Sequence, residues 1–266
     1  MTPSETVPKT VSMPTREILA AHAIGARLLT TGGMDAEPPE TALAVEEHRW
    51  AWRPDVPSVV LIAESHVFTS ADDLAVSVVS ERLPRELRHL PTAFVRLIYC
   101  LGYGQTSVLS GPPACGNPGT PQFWKIFARI AGTGPYPTRV PAATRLAWKI
   151  RTLTALRDRG VWLLDASLHA IYAPQRCPKA TTPLKLRQTL HETWWQEYGS
   201  PTLDQIADPY VCIIGKMTAD TLAAIGVPFH NWIYQPQAAR GAGVKMERGW
   251  SDLLAAIPTP TPESER

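Results

Sequence analysis

Two short apolar runs in the sequence each end on a carboxylate. Val59–Ala63 (VVLIA) precedes Glu64, and Val161–Leu164 (VWLL), bounded in front by Gly160, precedes Asp165. Runs of this length suit strands buried on both faces, as in a parallel sheet under helices. In an open α/β sheet the carboxyl ends of the strands line the ligand crevice. Both carboxylates are therefore expected to face whatever is bound. Each also has a plainer reading: Asp165 as the cap of the next turn, Glu64 as a solvated loop carboxylate.

Other reactive or recognition-bearing groups stand close by in the sequence. Ser65, His66 and Val67 follow Glu64, and His169 follows Asp165. Gly102–Pro121 (GYGQTSVLSGPPACGNPGTP) is a long loop carrying Tyr103, Pro113 and Asn117. A loop of that length inside a compact domain is usually functional. A third apolar run, VCII, ends at Gly215–Lys216, and FHNWIY leads into QPQAARGAG, which brings Gln235 and Arg240, with Lys245 just beyond.

The elements that must position these groups follow from periodicity and punctuation. Thr15–Leu29 has helical spacing with Thr15 as N-cap, and Thr30–Glu47 reads as Gly- and Pro-containing loop. Ser70 or Asp72 would cap a helix over Asp73–Ser80. Thr92–Leu101 reads equally as helix or strand. Further helices are predicted over Phe123–Ile130, Ala142–Asp158, about Leu184–Tyr198, and Thr218–Ile225, with strands over Val211–Ile214 and Phe229–Tyr234. Three firm strands and a fourth alternate with helices. That order predicts an α/β fold of three α/β/α layers around a mainly parallel four-stranded sheet. One domain is expected over residues 15–256, between Pro-, Thr- and Ser-bearing tails at 1–14 and 257–266 that read as disordered.

Composition bounds the rest. The chain has 266 residues, a formal charge of +2 and 44% hydrophobic residues, with 26 prolines and nine tryptophans. A near-neutral balance neither demands nor excludes a nucleic-acid partner, so any basic surface must be local. The four cysteines, Cys100, Cys115, Cys177 and Cys212, form no C-x-x-C pair, which argues against a zinc ribbon. Cys212 lies in an apolar run and reads as core. There is no secretory h-region after Met1 and no run of membrane-span length. The expectation is a cytoplasmic protein with reduced thiols, no metal and no cofactor, acting as a monomer away from membranes.

From Val59 to Gly243 the order and spacing of these segments resemble the uracil-DNA glycosylase superfamily. LIAESHVF resembles its strand and water-activating loop. GPPACGNPGTPQFWKIF resembles its phosphate-compressing proline loop with the following helix. GVWLLDASLHA is similar to the strand carrying the base-reading amide, and VCIIGKMTADTL to the strand and loop that grip the backbone. QPQAARG stands at the intercalation loop. The resemblance implies DNA as partner, base flipping and cleavage of an N-glycosidic bond. In that chemistry a carboxylate under the sugar stabilises an oxocarbenium-like cation and orients water. Glu64 takes this place, with Ser65 where the best-known branch has Asp.

The departures from the family pattern narrow the expectation. Asp165 replaces the usual base-reading Asn. Ionised, it accepts from an exocyclic amine such as cytosine N4; buried and protonated, it could also donate. Val67 replaces a Tyr that closes strict uracil pockets at C5, and His66 replaces a Pro. Gln235 stands where a His often stabilises the leaving base, with His230 the alternative donor. His66 and His169 lie near the pocket, and Tyr103, or else Tyr99, would stack on the base unless both are core. DNA would be held by the loop bearing Pro113 and Asn117, by Lys216, and by Arg240 and Lys245, with Arg240 as wedge. A branch of the family carries an iron–sulfur cluster; with no cysteine before Cys100 to supply its first ligands, none is expected.

The expected function is a DNA glycosylase that flips and excises a C5-substituted, cytosine-type pyrimidine, leaving an abasic site, with defence against phage carrying modified DNA as its natural use. Uracil or damaged-base repair, a nucleoside or nucleotide hydrolase, and a non-catalytic DNA-binding module are the alternatives.

Overall fold

The structure, a computed structural model, describes residues 12–172, 182–235 and 247–259. Its centre is a sheet of four parallel strands: β1 (Val59–Ala63), β2 (Val161–Asp165), β3 (Tyr210–Ile214) and β4 (Asn231–Ile233), in the order β2-β1-β3-β4. Helices flank it in three α/β/α layers, and all three strand pairings are parallel, so the sheet is wholly rather than mainly parallel. Every residue of β1 and β2 is buried, as their unbroken apolar runs require. The register sets Ala63 beside Asp165, so Glu64 and Asp165 emerge at the same end of neighbouring strands. The chain steps from β1 to β2 on one side, then to β3 on the other. That reversal at β1 is where an open sheet leaves a crevice beyond its carboxyl ends.

Helices α1 (Thr15–Thr31) and α2 (Pro39–Ala51) pack on each other, and α1 packs on α6 (Leu184–Trp194). A π-helical stretch, Trp195–Gly199, carries α6 into the short α7 (Ser200–Leu203). Helices α4 (Pro121–Ala131) and α5 (Ala142–Asp158) pack together, with α5 against β2. Helix α8 (Lys216–Ala224) lies on β3 and β4, and α9 (Trp250–Ala256) on β4. Among the described residues no helix is long and apolar enough to cross a membrane.

Several local expectations are corrected. Thr15 is the first helical residue rather than the N-cap; Pro14 holds that place. Thr30–Glu47 is not loop throughout, because α2 occupies Pro39–Ala51. Its start signal is Pro39 in the first turn with Glu40 beside it. Periodicity misses it because its inward face carries Glu46, His48 and Arg49 as well as apolar residues. The helix expected over Asp73–Ser80 is only one turn, α3 (Ala71–Leu74), capped by Ser70 in a reciprocal box with Asp73. Thr92–Leu101 is neither helix nor strand. Its backbone is tied by single bonds, such as Phe94 N–H to Val76 O, while its side chains enter the core.

The edge strand β2 is covered by side chains. Leu163 C=O accepts from Arg49 Nη1 at 2.8 Å, and its N–H donates to Tyr99 Oη at 2.9 Å. Trp162 Nε1 donates to Arg49 O at 3.0 Å. An exposed edge of unpaired N–H and C=O groups is thereby avoided.

Candidate active site

Beyond the carboxyl ends of the strands lies a half-open cleft of about 840 Å3. Glu64, Ser65, His66, Val67, Tyr103, Asn117, Asp165 and Gln235 all line it. The two carboxylates sit in different surroundings. Asp165 is 4% exposed, and its Oδ2 accepts from Arg49 Nη2 at 2.7 Å. Oδ1 takes no hydrogen bond among the described residues. Asp165 therefore caps no turn. It pairs with a guanidinium, the usual partner of a carboxylate.

Arg49 is itself held from behind. Its Nε donates to Glu46 Oε1 at 2.9 Å, and Tyr198 Oη donates to Glu46 Oε2 at 2.7 Å. Burial alone would lower the Arg49 pKa, but Glu46 and Asp165 raise it well above the ordinary value. The guanidinium is thus a fixed cation bridging two carboxylates.

Glu64 stands at the rim. Tyr172 Oη donates to its Oε2 at 2.6 Å, and Arg187 Nη1, on α6, lies 3.2 Å from its Oε1. Arg187 Nη1 also donates to Tyr172 Oη, closing a triangle. Burial and the Glu64 hydrogen bond push the Tyr172 phenol up to about 12, so it stays a donor at neutral pH. Ser65 is committed to the backbone: its Oγ accepts from Ile171 N–H at 3.0 Å and donates to His66 O.

The wall opposite is the 111–120 loop and the start of α4. The buried Asp73–Arg96 ion pair anchors it, Asp73 Oδ1 accepting from Ala114 N–H and Arg96 Nη1 donating to Gly116 O. Asn117 Oδ1 accepts from Gly104 N–H at 2.6 Å, and its Nδ2 donates to Gly102 O. Gly104 and Gly119, both at positive φ, touch so closely that a Cβ on Gly119 would lie 2.7 Å from Gly104 Cα. Lys149 Nζ donates to Tyr103 O at 2.7 Å, and burial brings this ammonium down to about 7. Tyr103 is buried along the same wall, its phenol raised to about 12 by burial. Phe123, at the start of α4, joins Tyr103 and Tyr172 as an aromatic side chain lining the cleft.

Several expected site residues lie elsewhere. His169 is buried away from the cleft, its Nε2 donating to His22 O at 3.0 Å and its ring 4.3 Å from that of His22. The chain turns sharply after Ala166, with Ser167 Oγ accepting from His169 N–H, and so carries the imidazole against α1 rather than into the cleft. Pro113 is buried in the loop turn and does not line the cleft. Lys216 begins α8 outside the cleft and pairs with Asp220. His230 is at the opposite end of the sheet, accepting from Val211 N–H and stacked on Tyr210. Tyr99 is core, its hydroxyl taken by Leu163. Arg240, Lys245 and Cys177 lie outside the described residues.

Sequence reasoning did not single out Glu37, Glu46, Arg49, Arg96, Tyr172 or Arg187 as site groups. A paired Glu46 and Arg49 at helical spacing was the one local signal available. No family model, no curated protein and no solved structure matches the chain.

Proposed function

We propose that the protein is a DNA glycosylase that hydrolyses the N-glycosidic bond of a C5-substituted, cytosine-type pyrimidine flipped out of DNA. The observation that carries this reading is the division of labour between two carboxylates in one cleft. Asp165 is buried and lines the cleft, ion-paired through one oxygen while the other takes no hydrogen bond among the described residues. A carboxylate is an acceptor only, so its free oxygen suits a 4-amino group and opposes a carbonyl at that position. An unmatched edge contact of this kind discriminates strongly.

Glu64, at the rim, is the group for the sugar. Tyr172 and Arg187 fix its rotamer, and an oriented carboxylate can hold water beneath C1′ and stabilise the positive charge that develops there. Val67, a small side chain on the cleft wall, leaves room for a substituent at C5. Removal of bulky modified cytosines suits defence against phage with modified DNA. Resemblance in segment order to uracil-DNA glycosylases supports the same reaction class.

One observation favours a second reading, a non-catalytic DNA-binding module: Arg187 compensates part of the Glu64 charge that a sugar cation would draw on. Turnover separates the two. Duplexes and matched free nucleosides carrying uracil, cytosine, hydroxymethylcytosine and glucosylated hydroxymethylcytosine are incubated with the protein, and abasic sites or freed bases are measured. Release of 4-amino bases from duplexes is the expected result. Release from nucleosides alone would make it a nucleoside hydrolase; duplex binding without release would leave the binding module.

A further inference from the structure

Asp165 and His66 line the cleft, and Glu37 stands behind His66. Glu37 is wholly buried and receives three donors. Thr69 N–H reaches Oε1 at 2.8 Å; Ala170 N–H (2.8 Å) and His66 Nε2 (3.0 Å) reach Oε2. The imidazole orientation is thereby fixed, with Nε2–H spent on Glu37. Nδ1 lies 3.8 Å from Asp165 Oδ2 and takes no hydrogen bond among the described residues. His66 lines the cleft. Gln235, which stands where the leaving base would be assisted, has no proton to give.

Resting on the glycosylase reading, we propose that His66 is its general acid: Nδ1–H donates to ring N3 of the base while Asp165 Oδ1 accepts from the 4-amino group. A donor beside an acceptor complements N3 and N4–H of cytosine and mismatches N3–H and O4 of uracil. As the C1′–N1 bond breaks, its electron pair enters the pyrimidine ring and N3 takes the His66 proton. The water oxygen bonds to C1′, and its proton passes to Glu64. A neutral base and a sugar hydroxyl result; His66 then regains a proton from solvent and Glu64 releases one.

The surrounding charges fit this role. Burial would lower His66, but the charge and hydrogen bond of Glu37, and then Asp165, outweigh it. Arg49 of α2 opposes them, and the net effect raises the imidazole above its ordinary 6.5. His22 of α1 and His169 also face this group. Burial lowers both, His169 to about 4, so neither adds a competing proton at neutral pH.

The test begins with the wild-type protein. The pH profile of kcat/KM on a modified-cytosine duplex is compared with the 15N NMR titration of His66. A basic limb that coincides with the His66 titration is expected. Glu37→Gln should move both to lower pH. His66→Asn, which keeps a donor near the Nδ1 position but supplies no proton, should lose roughly 10²- to 10⁴-fold on an ordinary cytosine-type base. The loss should be smaller on a base whose anion is stabilised by an electron-withdrawing C5 group. Turnover with no basic limb, a limb unmatched by His66, or an equal loss across leaving groups overturns the assignment alone. The wild-type comparison holds even where a variant does not fold. A wild-type protein inert on every duplex and nucleoside removes the glycosylase reading, and this assignment with it.

Discussion

Asp165 and Glu64 carry the same chemical group at the ends of neighbouring strands, one residue out of register. Under the proposed function their separate roles follow from their partners. Glu64→Gln keeps the shape and the Tyr172 contact but removes the charge. Base release should fall by two to three decades, on the order of 3–4 kcal/mol in barrier, while duplex binding persists. Release near the wild-type rate would take Glu64 out of the mechanism. Asp165→Asn tests recognition. Arg49 would still face Glu46, so the substituted core keeps a neutral pair and folding should survive. An amide can present a donor to O4, so the release ratio should shift from 4-amino toward 4-oxo bases carrying the same C5 group. Edge contacts of this kind are worth about 1–3 kcal/mol, visible as a change of roughly 5- to 150-fold in that ratio. An unchanged ratio would leave Asp165 with a structural role only.

At the scale of elements, the α1–α2 hairpin supplies the charges that the sheet end lacks. With His66 protonated, Glu37, Glu46 and Asp165 face two cations, Arg49 and His66, all buried. Arg49→Met would leave Glu46 and Asp165 without their shared partner and Leu163 O without its donor. Breaking a buried pair in this way is expected to destabilise by about 3–5 kcal/mol, measured by urea unfolding at neutral pH. A loss below about 1 kcal/mol would show that water reaches these groups. Glu37 predicts a pH dependence. Burial would raise it, yet His66 and the Thr69 and Ala170 N–H groups bring it from 4.5 down to about 2. A carboxyl depressed on folding adds stability above its unfolded pKa and loses it as pH falls through the folded one. The gap corresponds to about 3 kcal/mol. Urea unfolding across pH should show this contribution present above about 4.5 and gone near 2, with Glu37→Gln lower at neutral pH and converging with wild type in acid. A constant difference between the two proteins across that window would reject the account. On the alkaline side His66 acts in the opposite sense, its contribution fading as pH rises past its raised pKa.

For the molecule as a whole, α1 and α2 contribute to the same core as the sheet. Ile18, Leu29, Val45 and Trp52 are buried, Ile18, Val45 and Trp52 within the central core cluster, and Arg49 closes the open edge of β2. A fragment starting at Asp55 would expose that edge and orphan both Asp165 and His66. Such a fragment should show no cooperative urea transition by circular dichroism. A single transition at the midpoint of the full chain would instead make the two helices dispensable.

The sequence by itself determined the layers and the location of the cleft. Strand burial is written in contiguous apolar runs, and the residue that ends each run must emerge at the sheet's carboxyl edge. Glu64 and Asp165 were legible for that reason, as were His66, Val67 and Gln235 beside their strand ends, and the long loop by its prolines and glycines. Only the tertiary structure decided what these groups face. Arg49 meets Asp165 across 116 residues of chain, and Glu37 meets His66 from a stretch that reads as loop. Hydrophobic periodicity reports local geometry and is silent where a helix turns charges inward. His169 makes the converse point. It follows Asp165 closely in sequence, yet one turn at Ser167 carries it against α1 and out of the cleft, because a side chain's surroundings depend on the direction of the chain and not on its distance along it.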